Sequence, residues 1–175
     1  ACAEHKVPVH RSKKGDTWTL GNGRIEVLHP PLNSPETLDE NNGSLVLRAQ
    51  FDTVSILFPG DIEAKGEAQL AQTDCTADIL KVPHHGSKTS STANFLKNVN
   101  PRLAVVSTGG GFGKEPVDDE VMARYRDRGT AVMRTDFEGA VRVTTDRGTI
   151  TVEGERDARV YPRPRLDLAE SAPGQ

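Results

Sequence analysis

Residues 79–91 read Ile-Leu-Lys-Val-Pro-His-His-Gly-Ser-Lys-Thr-Ser-Ser, and this stretch places His84 and His85 directly after a short apolar run and a proline. A second apolar run leads into Phe-Pro-Gly-Asp-Ile-Glu at residues 58–63, which puts Asp61 just beyond that run. The segment between the two has the length of a helix that connects neighbouring parallel strands. The sequence therefore predicts a strand, a carboxylate, a crossover helix, a second strand and a histidine pair, in that order.

The alternation of apolar runs and helical spacing continues along the chain. Ala64, Ala68 and Ala71 recur at helical spacing and form a small-residue face that could pack closely on a sheet. Ser90 or Ser91 is expected to cap the next helix. The predicted elements are strands at 54–58, 78–82, 103–107 and 131–134, and helices at 63–72, 92–99 and 117–129. This order predicts an α/β fold with a largely parallel sheet and right-handed crossovers.

Shorter strands flank this central region. Gly21-Asn22-Gly23 indicates a hairpin between strands at 17–20 and 24–28, and residues 45–51 alternate as a third strand. A final hairpin is predicted at 140–144 and 149–152. Residues 155–175 are rich in charge and proline and have no periodicity, which is typical of disorder. We expect one domain over residues 1–154 and a disordered tail over 155–175.

Asp61, His84 and His85 all follow the carboxyl ends of predicted parallel strands, so they should meet at one edge of the sheet. A carboxylate and an imidazole suit zinc or manganese. Alternatively, Asp61 could cap the following helix, and the histidines could be an exposed loop pair. Because adjacent residues leaving a strand point opposite ways, one histidine could bind metal while the other contacts substrate.

Four polar positions and one basic position are candidates for substrate binding. Ser87 and Lys88 precede a helix and could hold a phosphate-like anion, although plain capping is the alternative. Asn41, Asn42 and Ser44 form a polar turn before a strand, and the alternative is that they only form that turn.

Composition limits the classes of function. The chain has 175 residues, enough for one domain, and 35% of them are hydrophobic. Its net charge of −3 argues against strong, indiscriminate binding to phosphate backbones, but it leaves nucleic acid open as a transient substrate. No apolar run reaches the roughly 18 residues of a membrane span, so we expect a soluble domain.

Five ordered motifs resemble a known family. They are Asn-Asn-Gly-Ser-Leu-Val-Leu-Arg at 41–48, Phe-Pro-Gly-Asp-Ile-Glu at 58–63, Leu-Lys-Val-Pro-His-His-Gly-Ser at 80–87, Pro-Arg-Leu-Ala-Val-Val-Ser at 101–107 and Arg-Thr-Asp-x-x-Gly-Ala-Val at 134–141. Together they resemble the metallo-β-lactamase-like domain of the ComEC family, the membrane channel for DNA uptake in natural competence. The resemblance covers about residues 7–145.

The resemblance implies an αββα sandwich and a metal-dependent phosphodiesterase, a nuclease in which Asp61 bridges metals and His84 or His85 is a ligand. The implied partners are DNA, with single strands favoured, and the remainder of a channel protein. The implied location is the extracytoplasmic side of a bacterial cytoplasmic membrane.

Two departures from the family pattern shape further expectations. The motif His-x-His-x-Asp-His is absent, so we expect an incomplete αββα sandwich without its N-terminal half, an exposed apolar face, and a weakly bound or absent Zn or Mn ion. Glu115 stands where family members often have a histidine, which makes it a candidate catalytic residue beside Asp61 and His85, and the alternative is a solvated surface glutamate. The chain alone is expected to be inactive. Alternative functions are a hydrolase of another ester, resembling phosphocholine esterases, and a metal-free module of a channel assembly.

Overall fold

The computed structural model describes residues 4–9, 11–31, 38–109, 117–146 and 148–156. These residues form a seven-stranded sheet, a separate two-stranded hairpin and four helices. The strands are β1 Thr17–Leu20, β2 Gly23–His29, β3 Val46–Phe51, β4 Val54–Phe58, β5 Ile79–Lys81, β6 Leu103–Val106, β7 Ala131–Arg134, β8 Val141–Asp146 and β9 Thr149–Gly154. The helices are α1 Ala64–Leu70, α2 Ala93–Val99, α3 Asp119–Asp127 and α4 Thr135–Glu138, and a 3-10 turn spans Pro83–Gly86.

The strands of the large sheet lie in sequence order, from β1 at one edge to β7 at the other. β1 to β4 form an antiparallel meander, whereas β4 to β7 are parallel and are connected through α1, α2 and α3. The predicted parallel sheet is therefore confirmed over β4–β7. Its carboxyl-end edge carries the loops after β4, β5 and β6.

Helices cover one face of the sheet. Leu57, Leu80 and Ala104 on three adjacent strands are buried against a cluster that includes Phe95 of α2 and Tyr125 of α3. Burying large apolar side chains is the main favourable contribution to folding, at about 1.5–3 kcal/mol each. This cluster is the principal core, and it anchors the helices behind the carboxyl-end edge.

The inner face of α1 differs from the predicted one. Ala64 and Ala68 are exposed, whereas Gly66, Glu67 and Leu70 are buried. A β-carbon on Gly66 would lie 2.5 Å from Cγ1 of Ile62, so only glycine lets the backbone of α1 lie this close to the Ile62 side chain. The alanine-face prediction is wrong because the helix turns its glycine inward instead.

The opposite face of the sheet is only partly covered. The β8–β9 hairpin buries Ile150 and Val152 against β4, β5 and β6. Over β1–β4 the same face leaves Trp18 at 40%, Leu20 at 63% and Phe58 at 43% relative exposure. The described residues thus include several exposed apolar side chains on this face of the sheet.

Two sequence predictions lie beyond what the structure describes. Residues 157–175, most of the predicted tail, and Glu115 are outside the described residues. Among the helices that are described, none combines the length and the hydrophobicity needed to cross a bilayer.

Candidate metal centre

Asp61 lies three residues beyond the end of β4 and is held by a close backbone contact. Gly60 has φ of +64°, a left-handed conformation that glycine adopts without steric cost. A β-carbon at Gly60 would lie 3.0 Å from Cβ of Ser44 and 3.1 Å from its Oγ. The Ser44 hydroxyl accepts a hydrogen bond from Asp61 N–H at 3.1 Å, and the Ser44 carbonyl is 3.1 Å from Nδ1 of the buried His29. The turn before β3 therefore sets the backbone position of Asp61.

His84 and His85 form a left-handed turn rather than the continuation of a strand. Their φ and ψ values are 48° and 40° for His84 and 54° and 19° for His85, and Gly86 follows at φ of +85°. The left-handed conformation costs about 1–2 kcal/mol for a residue with a side chain. Strain of this kind is concentrated at functional sites, so the turn itself marks the histidine pair as a candidate site.

The structure brings Asp61 and His85 together. Nε2 of His85 lies 3.6 Å from Oδ1 of Asp61, while Nδ1 of the same ring lies 2.6 Å from the carbonyl oxygen of Ser107, directly after β6. A carbonyl only accepts hydrogen bonds, so Nδ1 carries the hydrogen and donates it. In the neutral ring, Nε2 then turns its lone pair toward the carboxylate. A histidine whose second nitrogen is fixed in this way is a typical metal ligand.

Lys81 is a part of the site that the sequence analysis missed. Its Nζ lies 3.6 Å from Oδ1 of Asp61 and donates a hydrogen bond to the Gly60 carbonyl at 3.3 Å. Desolvation lowers the pKa of Lys81, and the neighbouring Asp61 carboxylate opposes that change. The sequence signal that could have indicated Lys81 is its single positive charge within the otherwise apolar run 79–82. The site thus joins a carboxylate, an imidazole and an ammonium group.

His84 faces a different partner. Its Nδ1 lies 3.2 Å from Oε1 of Glu63 and 3.4 Å from the hydroxyl of Thr89, which donates to the same Glu63 oxygen at 2.8 Å. The Asn41 amide lies 3.4 Å from that oxygen. Glu63 also occupies the N-cap position of α1, so the alternative in which Asp61 caps this helix is wrong. The two adjacent histidines therefore contact two different carboxylates, His84 that of Glu63 and His85 that of Asp61.

The other predicted substrate-binding residues are spread around the His84 side of the site. Asn42 is 2% exposed, accepts a hydrogen bond from Gly66 N–H at 2.8 Å and donates its amide to Asp39. The Ser87 hydroxyl lies 3.1 Å from that of Thr89, and Lys88 is exposed beside them. Asn42 thus ties the 39–44 turn to α1, whereas Lys88 faces solvent.

A buried carboxylate supports the histidine loop from behind. Glu67 is fully buried and accepts hydrogen bonds from the backbone N–H groups of Ser91, at 2.5 Å, and Thr92, at 2.9 Å. Its burial raises the pKa of the Glu67 carboxyl. The Ser91 hydroxyl contacts that of Tyr125 at 3.0 Å, and Arg124 donates to the Ser91 carbonyl at 3.1 Å. This cluster joins α1, α3 and the loop, and nothing in the local sequence pattern indicates it.

The described ranges contain no group of three or more His, Cys, Asp or Glu side chains that could hold a metal ion. Asp61 and His85 fit two positions of a metal site by their chemistry and convergence. Glu115 lies outside the described residues, so its predicted role stays a prediction.

The fold has a counterpart among solved structures. A protein of Parabacteroides distasonis described as a metal-dependent hydrolase superposes with a TM-score of 0.52 at 18% sequence identity, covering 77% of this chain and 61% of that one. Identity at this level supports the fold alone. The chain is therefore a mixed α/β protein with a large sheet, in the class of fold that this solved structure adopts.

Curated relatives identify the family. The chain is 31% identical to ComE operon protein 3 of Bacillus subtilis over 143 residues, covering 81% of this chain and 18% of that protein. It is 31% identical to competence protein ComA of Neisseria gonorrhoeae over 147 residues, covering 82% and 21%, and 32% identical to recombination protein 2 of Haemophilus influenzae over 142 residues, covering 81% and 18%. No family model matches the sequence. The chain belongs to the ComEC family of competence proteins, and it spans about a fifth of the length of the curated relatives it matches.

Proposed function

We propose that this chain is part of a metal-dependent phosphodiesterase that cuts DNA during uptake in natural competence. The observation that carries the proposal is the approach of Asp61 and His85 to 3.6 Å at the carboxyl-end edge of the parallel strands. Membership of the ComEC family supports the setting, and the strained turn at His84 and His85 supports a functional role for this edge.

Asp61 and His85 would hold the metal ion, which is zinc or manganese by the chemistry of one oxygen and one nitrogen donor. A catalytic zinc usually has three protein ligands, so further ligands would come from residues beyond those described. When bound, the metal supplies Lewis-acid stabilisation of the phosphate charge. The Ser107 carbonyl keeps the proton on Nδ1 of His85, and Lys81 adds a positive charge beside the substrate phosphate.

In this proposal His84 contacts substrate rather than the metal that Asp61 would bind. The contact with Glu63 orients the ring, since Nδ1 lies 3.2 Å from that carboxylate. This leaves Nε2 to exchange a hydrogen bond or a proton with a bound phosphodiester. Glu115 stays in the proposal as a candidate base.

The finer fold proposal is one half of a metallo-β-lactamase-like αββα sandwich. A second sheet in that sandwich would cover the apolar surface of β1–β4, where Trp18, Leu20 and Phe58 are exposed. Exposed apolar patches of this kind mark interfaces. In the whole protein, we propose that this domain belongs to a membrane channel and lies on the extracytoplasmic side.

The test uses the full-length gene product that contains this sequence, loaded with Zn²⁺ or Mn²⁺ and given labelled single-stranded DNA. We expect metal-dependent cleavage that falls by about 10²-fold or more in Asp61→Asn, because the change removes a ligand and a stabilising charge together. His85→Ala should reduce the rate more than His84→Ala. Asp127→Asn, an exposed aspartate at the end of α3, is the matched control and should keep the rate.

A protein with full metal occupancy that cleaves neither single- nor double-stranded DNA would overturn the proposal. Cleavage of phosphocholine or another ester instead would assign the other hydrolase class. An absence of all hydrolysis would assign a non-catalytic module of the channel.

A further inference from the structure

An open groove lies beside the His84 cluster, on the helical side of the sheet edge. It encloses about 630 Å³ between the 39–42 turn, the start of α1, the histidine loop and α3. The charged residues of its lining are the cations Lys65, Lys88 and Arg124 and the carboxylates Asp39 and Glu63.

The acidic residues of the groove are already satisfied inside the protein. Asp39 accepts hydrogen bonds from the backbone and the side chain of Asn42 at 2.7–3.0 Å, and these bonds lower the pKa of the Asp39 carboxyl. Glu63 receives the Thr89 hydroxyl and contacts the His84 ring. Their negative charges are therefore stabilised by donors that belong to the walls of the groove.

The cations of the groove are differently placed. Lys65 and Lys88 are exposed, and neither lies within ion-pair distance of a carboxylate among the described ranges, although the charge of Lys65 contributes to the lowered pKa of Asp39. Arg124 is half-buried and donates to the carbonyls of Ser90 and Ser91, which fixes its guanidinium at the groove wall. Three positive charges, on Lys65, Lys88 and Arg124, stand against the two carboxylates of the groove, so the lining has a formal charge of +1 in a chain whose overall charge is −3.

The groove is continuous with the candidate metal centre. Glu63 and Thr89 line the groove, and both lie within 3.4 Å of Nδ1 of His84. The next residue, His85, faces Asp61 at 3.6 Å. The turn that carries His84 and His85 thus lies between the groove and the Asp61 carboxylate.

We propose that this groove binds the phosphate backbone of a single DNA strand and leads it to the edge where Asp61 and His85 lie. The inference rests on the proposed function and names the path of its substrate. Lys65 and Lys88 contact successive phosphates as point charges. Because the lining of this groove is positive, it can bind a polyanion even though the chain as a whole is acidic.

The test measures binding without catalysis. Fluorescence anisotropy follows a labelled oligothymidine of about 12 nucleotides, within the roughly 4–16 nucleotides that known single-strand-binding folds cover, in the presence of a metal chelator. The salt concentration is varied from about 50 to 200 mM. The variants are Lys65→Ala/Lys88→Ala and Lys65→Glu/Lys88→Glu, with Lys97→Ala, an exposed lysine on α2 outside the groove, as the matched control.

We expect the double alanine variant to bind at least about tenfold more weakly at low salt. Its logarithmic salt dependence should fall by about 1.4, since each phosphate contact on a single strand contributes about 0.7. The double glutamate variant should abolish binding, and Lys97→Ala should bind as the unchanged protein does. Both substituted lysines are exposed, so circular dichroism and thermal unfolding should be unchanged.

Several results would refute DNA binding by the groove without refuting the nuclease proposal. They are unchanged affinity in both double variants, no binding of the oligonucleotide at all, or displacement of the oligonucleotide by equimolar inorganic phosphate. In contrast, lysine-dependent binding by a metal-loaded protein that cleaves no DNA would support the groove and refute the nuclease proposal.

Discussion

Replacing Gly60 with alanine tests how the 39–44 turn positions Asp61. Gly60 has φ of +64°, and a β-carbon there would meet Cβ and Oγ of Ser44 at 3.0 and 3.1 Å. Gly129 has a similar φ of +70° but has nothing within 4 Å of its added β-carbon. The two substitutions therefore share the backbone strain and differ in the steric clash.

The expected magnitudes follow from that difference. The left-handed backbone alone costs about 1–2 kcal/mol for alanine, which sets the expectation for Gly129→Ala. Ser44 cannot move away easily, because its hydroxyl holds Asp61 N–H and its carbonyl contacts the buried His29. Overpacking of a constrained site adds about 1–3 kcal/mol, so Gly60→Ala should lose about 2–5 kcal/mol in total.

Urea unfolding at 25 °C measures both free energies of unfolding. A double-mutant cycle with Ser44→Gly, which removes the clashing atoms, should show a coupling of about 1–3 kcal/mol with Gly60→Ala. The reasoning is refuted if Gly60→Ala and Gly129→Ala are equally destabilising, or if Ser44→Gly leaves the cost of Gly60→Ala unchanged.

Two further predictions concern charged side chains. Glu67→Ala leaves two backbone N–H groups without their acceptor inside the protein, and it should lower the free energy of unfolding by about 2–5 kcal/mol in urea titrations. Glu40→Gln, at an exposed position, should change it by less than about 0.5 kcal/mol, and equal effects would contradict this role. Lys81→Met removes a cation that lies 3.6 Å from Asp61 and would repel a metal ion bound to that carboxylate. Like charges about 4 Å apart repel by about 1 kcal/mol even in water, so Zn²⁺ should bind at least about fivefold more tightly by calorimetry. Weaker Zn²⁺ binding by Lys81→Met, or the same gain in Lys97→Met, would count against this account.

The order of strands and helices could be predicted because it depends on local periodicity. Strands predicted at 54–58 and 131–134 match β4 and β7 in full, and the predicted hairpins are β1–β2 and β8–β9. Helix ends were less accurate. Thr92, not Ser90 or Ser91, caps α2, because both serines are fully buried and bonded elsewhere.

The contacts within the candidate site could not be predicted in the same way. Strand geometry implied that His84 and His85 point to opposite sides, but both residues lie in a left-handed turn. The two imidazole rings have different partners: His84 contacts Glu63, whereas His85 contacts Asp61 and the Ser107 carbonyl on the next loop. Sequence spacing does not specify which of several nearby acceptors a flexible side chain selects.

The sequence by itself determined the sheet order of β4–β7 and therefore the edge on which Asp61 and the histidines meet, because parallel crossovers place successive strand ends together. Only the tertiary structure decided that His85 rather than His84 faces Asp61, and that Lys81 joins them. Topology follows from hydrophobic patterns along the chain. Pairing within the site depends instead on distances of a few ångströms between residues up to 24 positions apart, such as Asp61 and His85, which are set only when the loops pack.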